Sequence, residues 1–198
     1  MRRSMPRPFG RALRAALLSA ACLACSAAYA EQVKNPEYEM WSKFKAGAMS
    51  KVEGTSEAAG MKSAQTITTK LVEITPEKAV VETIVSMEAA GQKIDAPAQK
   101  RDVPAMMEKL PEMAPPGVPP GEAKKPDVKE SEETVTVAGK SIKCKVTEVT
   151  TEQQGMTITA KTWTSTDVPG NMVKLESKTT GAMEATTKQE LKEFTTGG

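Results

Sequence analysis

A chain of 198 residues with 27 basic and 25 acidic side chains, no histidine and three cysteines excludes several chemistries at once. Without an imidazole there is no Ser-His or Cys-His nucleophile pair, no histidine-ligated metal and no histidine pH switch. The formal charge of +2 rests on the N-terminal arginines, because removing the five in the first 14 positions leaves 22 basic against 25 acidic residues, a charge of −3.

Residues 1–30 read as an export signal. Arg2, Arg3, Arg7, Arg11 and Arg14 form a positive front, residues 15–28 an apolar stretch, and Ala28-Tyr29-Ala30 a small-x-small cleavage site before Glu31. The stretch is shorter than the roughly 20 residues that span a bilayer. Cleavage is therefore expected, with a periplasmic or secreted mature chain of residues 31–198 and no membrane-spanning segment left in it. Neither Cys22 nor Cys25 has a leucine three places before it, which disfavours a lipid anchor. Cys144 is then the only thiol of the mature chain, so no intramolecular disulfide is expected. Arg101 is its only arginine. Nucleic acid is not an expected partner, because planar guanidinium forks dominate phosphate and base recognition.

Asn35-Pro36-Glu37 predicts a short N-terminal helix, with Asn35 as cap and Met40, Trp41 and Phe44 on its packing face. From residue 46 the pattern turns to period two, predicting strands over 46–56, 61–74, 79–87 and 92–102 with Gly or Pro breakers between them. Seven prolines between 102 and 129 make that segment a connector. Residues 105–110 read as one helical turn before it, and Met106, Met107 and Met113 in or beside it read as poorly packed loop residues, with an adaptable lid over one sheet edge as the alternative. Val135 and Val137 then alternate along a strand over 134–138, and Gly139-Lys140 turns the chain. Ile142, Cys144 and Val146 share one parity of the next strand against Lys143 and Lys145. Further strands are predicted from Met156, over 172–179 and over 182–194.

Twenty-two threonines favour sheet over helix. The expected fold is mainly β: a curved, half-barrel-like antiparallel meander of about eight strands with one polar and one covered face. The segment Thr75-Pro76-Glu77-Lys78-Ala79-Val80-Val81-Glu82 resembles Asp167-Val168-Pro169-Gly170-Asn171-Met172-Val173-Lys174. Internal duplication and convergence on one turn type both account for the match.

Cys144, at an apolar parity and without a histidine to activate it, reads as a core residue. Asp127, Glu130, Glu132 and Glu133 lack the spacing of a calcium loop and read as a solvated strand entrance. Trp163 lies on the opposite parity from Met156, Ile158 and Ala160, so a bulge is expected to return it to the core.

Val137-Ala138-Gly139-Lys140-Ser141-Ile142-Lys143-Cys144-Lys145-Val146, Thr162-Trp163-Thr164-Ser165 and Val168-Pro169-Gly170-Asn171-Met172-Val173-Lys174 follow one another in the second half. This part of the chain, residues 132–194, resembles uncharacterised exported bacterial proteins. Those carry a G-K-x-x-C-x-V, a W-x-S and a V-P-G-x-x-V-K in this order, and are similar to half-barrels of the lipoprotein-carrier (LolA-like) type. The resemblance implies a lipid or hydrophobic-peptide ligand held in an apolar concavity. The expectation is a non-enzymatic protein without metal or cofactor that binds an apolar or amphipathic ligand on a concave face lined by Ile142, Cys144, Val146, Met156, Ile158, Trp163, Val173 and Leu175. The alternative is an envelope-structural or interaction module whose core is filled by its own side chains, with Met40, Trp41 and Phe44 as the plug.

Overall fold

The computed structural model describes residues 32–89, 91–109, 126–153, 155–182 and 184–198. The predicted export signal, most of the Pro-rich connector with Met113, and Ala90, Gln154 and Met183 lie outside the described residues.

The chain opens with β1 (Gln32–Lys34) and helix α1 (Pro36–Trp41). The helix starts where the backbone demands a cap: the Asn35 side-chain oxygen accepts from the Glu37 amide at 3.0 Å, and Pro36 occupies a first-turn position that has no N–H to lose. Then come β2 (Met49–Ala58), β3 (Met61–Ile74), β4 (Lys78–Ala89), β5 (Gln92–Asp95), β6 (Gln99–Pro104) and β7 (Met106–Glu108). The second half supplies β8 (Asp127–Val137), β9 (Lys140–Gln153), β10 (Met156–Thr164), β11 (Met172–Thr180) and β12 (Ala185–Thr195). The fold is thus mainly β and antiparallel, with twelve strands among the described residues where about eight were expected.

Three of the extra strands have local causes. The expected strand over 92–102 is cut at Ala96-Pro97-Ala98 into β5 and β6, which both pair with β4, because a proline has no amide to give a ladder. Residues 105–110 do not form a helical turn: Met106–Glu108 is a strand that pairs with β1 in a separate two-stranded sheet. The strand predicted from 134 begins at Asp127, so the acids read as a strand entrance lie within β8.

The main sheet runs β5-β4-β3-β2-β12-β11-β10-β9-β8, with β6 beside β5 on β4. Each half is a meander, as short turns require. The halves join at β2 and β12, however, so the first long strand and the last lie together mid-sheet, while β6 and β8 occupy opposite edges. The sheet is not closed.

Burial concentrates at one end of the strands. One cluster joins Val52, Val137, Ile142, Cys144, Val146, Trp163, Val168, Val173 and Leu191. A second lies under α1, where Trp41, Phe44 and Ala48 meet Leu71, Ala79, Val81 and Val103. Tyr38 tethers the helix by donating to the Thr75 carbonyl at 2.7 Å, and Arg101 forks onto both carboxylate oxygens of Glu37. The opposite end, beyond roughly Gly54 on β2, has no described layer over it.

Candidate functional site

Residues directly paired across an antiparallel ladder project to the same face. The registers therefore sort the far half of the sheet into two unlike surfaces. On one face, a row crosses from β5 to β9 as Ile94, Met87, Gln65, Gly54, Gln189, Leu175, Thr162 and Thr147. The next row is Gln92, Ala89, Ser63, Ser56, Thr187, Ser177, Ala160 and Val149, and a third runs Met61, Ala58, Ala185, Thr179, Ile158 and Thr151. No ionisable side chain stands in these three rows. Charges return to this face only at its margins, as Arg101 on β6 and as Glu130, Glu132, Lys143 and Lys145 on β8 and β9.

The other face is laced with charge. Its central row reads Lys93, Glu88, Ala64, Thr55, Lys188, Glu176, Lys161, Glu148 and Lys129 from β5 to β8. Such alternation of sign across adjacent strands is favourable. Lys62 meets Glu57 at 3.5 Å and Lys174 meets Glu176 at 3.0 Å on the same side. Clefts on this side run between charged side chains. One of about 650 Å³ is lined by Thr55, Glu57, Lys62, Glu88 and Lys188 among others.

The uncharged face is built for close approach. At Gly54 a β-carbon would come within 3.1 Å of the Gln189 Cγ and 3.2 Å of the Gln65 Cγ, so glycine lets the two amide side chains close over the strand. Ser56 and Thr187 hydroxyls hydrogen-bond to each other at 3.3 Å, which removes two polar groups from competition for water. Among the large apolar residues of this face, Met61, Ile94 and Met87 are 73%, 63% and 47% exposed.

The eight residues expected to form one lining do not share a face. Trp163 pairs with Val146 and with Lys174, which puts it on the charged side, while Met156, Ile158 and Leu175 pair with Gln153, Thr151 and Thr162 on the uncharged side. Ile142, Cys144, Val146, Trp163 and Val173 are each at most 4% exposed, packed by the chain itself. Only Met156, Ile158 and Leu175 of the eight are half-exposed. Met61, Met87 and Ile94, absent from that expected lining, join them on the same face. Their signal was present in sequence as an uncharged parity, Met61, Ser63, Gln65 and Ile67 against Lys62, Ala64 and Thr66.

Trp163, a member of the first buried cluster, also gathers polar groups around it. Its indole N–H donates to Glu133 at 2.7 Å, and the Lys161 and Lys174 ammoniums each lie 4.6 Å from its ring centre. Lys161 also reaches Glu133 at 2.9 Å. A register shift follows between Trp163 and Thr164. Hydrogen bonds from Lys161 and then Trp163 hold the Glu133 carboxyl below the usual carboxylate range. Burial, and secondarily the Glu133 charge, pushes the Cys144 thiol up, which suppresses the reactive thiolate. Cys144, Glu133, Lys143, Lys145 and Asp167 border a polar cleft of about 580 Å³ that also includes Asn171, whose side-chain oxygen is buried without a hydrogen-bond partner.

The chain matches no family model, no curated protein and no solved structure. Among the described residues no helix is long and apolar enough to cross a membrane.

Proposed function

We propose that this is an exported, non-enzymatic binding protein whose working surface is the uncharged face of the sheet, and that its partner there is apolar or amphipathic. The observation that carries this reading is the separation of the two faces. One side spreads charge over every strand, whereas three successive rows on the other carry none and expose Met61, Met87 and Ile94. Met87 and Ile94 are direct ladder partners and form an exposed apolar pair, and exposed apolar side chains brought together mark a contact site. The resemblance of residues 132–194 to exported proteins that are similar in turn to lipoprotein-carrier half-barrels supports an acyl or hydrophobic-peptide ligand. The binding side is moved, however, from the buried Ile142, Cys144, Val146, Trp163 and Val173 to the surface of Leu175, Ile158 and Met156 with Met61, Met87 and Ile94.

A titration of the purified protein with 11-dansylaminoundecanoic acid tests this. The dansyl emission is expected to rise and shift to the blue on binding, and Ile158→Lys is expected to weaken binding at least tenfold. The equivalent Thr159→Lys change, on the charged face, is expected to leave it unaltered. Equal binding by both variants would remove the uncharged face from consideration. The self-filled alternative, an interaction or envelope-structural module, is favoured by the near-complete burial of the first cluster by its own chain. Absence of any emission change with the intact protein at concentrations where it is monomeric would select it.

A further inference from the structure

We infer that the partner of the uncharged face is a second copy of this chain, stacked face to face so that two single-layer sheets become a sandwich. The inference rests on the reading of that face as the working surface, and it names the occupant. A sheet face that exposes large apolar side chains is stable in water when a second layer covers it. Here the cover is partial. Helix α1 lies over β3, β4 and β6 at the core end, on the side that Val81 shares with Val85 and Met87, and the far half has no described layer.

Three features favour a copy of the same sheet over other occupants. The first is size. With strands spaced by about 4.8 Å and residues by about 3.3 Å, the two uncharged rows from β5 to β9 and the third from β3 to β9 cover about 700 Å², close to the roughly 800 Å² that each partner buries in a stable complex. The second is charge. A two-fold axis sets a patch against itself, so any net charge on the patch would repel its own image. These rows have none to repel, whereas the reverse face already pairs its charges within itself, Glu53 with Lys51 and Glu190 with Lys192. The third is layer height. A helix is about 10 Å across and stacked sheets lie about 10 Å apart. An opposing sheet therefore fits beside α1 in the same layer, and a two-fold places the helices at opposite ends.

The chemistry of the rows agrees with an interface rather than a core. Alanine, methionine, isoleucine and leucine are mixed with Ser, Thr and Gln, as in contact surfaces that are little more than half apolar. The Ser56 and Thr187 hydroxyls are already paired with each other, so their burial leaves fewer unsatisfied groups.

Sedimentation velocity of the purified protein from 1 to 200 µM tests the inference. A species of twice the chain mass is expected. The double variant Ser56→Lys/Ala160→Lys, on the uncharged rows, is expected to raise the dissociation constant at least a hundredfold, and Thr55→Lys/Thr159→Lys on the other face to leave it within twofold. A second readout needs no variant: hydroxyl-radical labelling of Met61, Met87 and Met156 is expected to fall as concentration rises while that of Met106 does not. A protein that stays monomeric at 200 µM, or a dimer that survives the first double variant, would overturn the inference. If the monomer binds the dansyl acyl probe and Ile158→Lys abolishes that binding, the uncharged face stands as a binding surface and only the second copy is refuted. If neither association nor probe binding occurs, both readings fall together.

Discussion

At the scale of single residues, the structure assigns unequal weight to side chains that look alike in sequence. Glu133 is one of four acids crowded onto β8, yet it alone joins an ammonium and an indole, and those two hydrogen bonds hold its carboxyl low. A carboxyl that releases its proton more easily when folded than when unfolded adds stability above its unfolded pKa, near 4.5, and loses it as pH falls through the lower native value. The melting temperature is therefore expected to drop between about pH 5 and pH 3, and Glu133→Gln to flatten that drop while lowering the temperature at pH 7. Thermal scans at half-unit steps of pH check this; a profile identical in the two proteins would show the pair to be energetically silent. Ala59 and Ala138 carry a different kind of cost. Both sit at positive φ, 51° and 47°, immediately before a glycine at 77°. Two consecutive left-handed residues define the turn that Asn-Gly suits best, and alanine is strained there where asparagine is less so. Ala59→Asn and Ala138→Asn are each expected to stabilise by about 0.5–1 kcal/mol, read as a shift of the urea midpoint without change of slope.

The elements show where local pattern stops deciding structure. Period-two alternation with branched residues placed the long strands β2, β3, β4, β9, β10 and β11 to within a few positions, because side-chain parity is a local property. The three-residue strands β1 and β7 had no such signal. Each exists only because the other lies alongside, with Val33 opposite Met107. Strand order was equally hidden: nothing in Leu191 and Val52, separated by most of the chain, announces that they are register partners. The candidate site was half legible for the same reason. Within each strand, the sequence shows which parity is uncharged. Whether the apolar parity of β9 faces the same way as that of β10 depends on register, and a one-residue slip reverses the answer. Ile142, Cys144 and Val146 fall with Trp163 and not with Ile158 on that account. A shared local irregularity also emerges only from pairing. Leu71-Val72-Glu73 and Leu191-Lys192-Glu193 each contain a register shift, and each places its leucine in a core, at 0% and 2% exposure.

For the whole molecule, the position of β12 governs cooperativity. The strand that ends the chain is the middle of the sheet: it pairs with β2 over Met49 to Ala58 and with β11 over Lys174 to Thr179. It therefore holds the N-terminal meander of β2 to β6 to the C-terminal meander of β8 to β11. Leu191 contributes to the same buried cluster as Val52 and Val173, so the join is packed as well as hydrogen-bonded. Closing it brings together residues about 140 positions apart, an entropic cost that precedes the reward of contact. Domains dominated by such distant pairings fold in milliseconds to seconds. Refolding from urea is expected in that range, with both tryptophans reporting one phase, since Trp41 abuts Gly170 across the two halves. Removing residues 185–198 deletes an exposed chain end in sequence but a central strand in space. The shortened protein is expected to lose its cooperative thermal transition altogether, since β2 and β11 would each present a bare ladder and the first cluster would lose Leu191 and Phe194. A control ending at Thr196 should retain the transition, because β12 closes at Thr195. If the version lacking 185–198 still melted sharply, the two meanders would be independent folding units and the central role of β12 would be refuted.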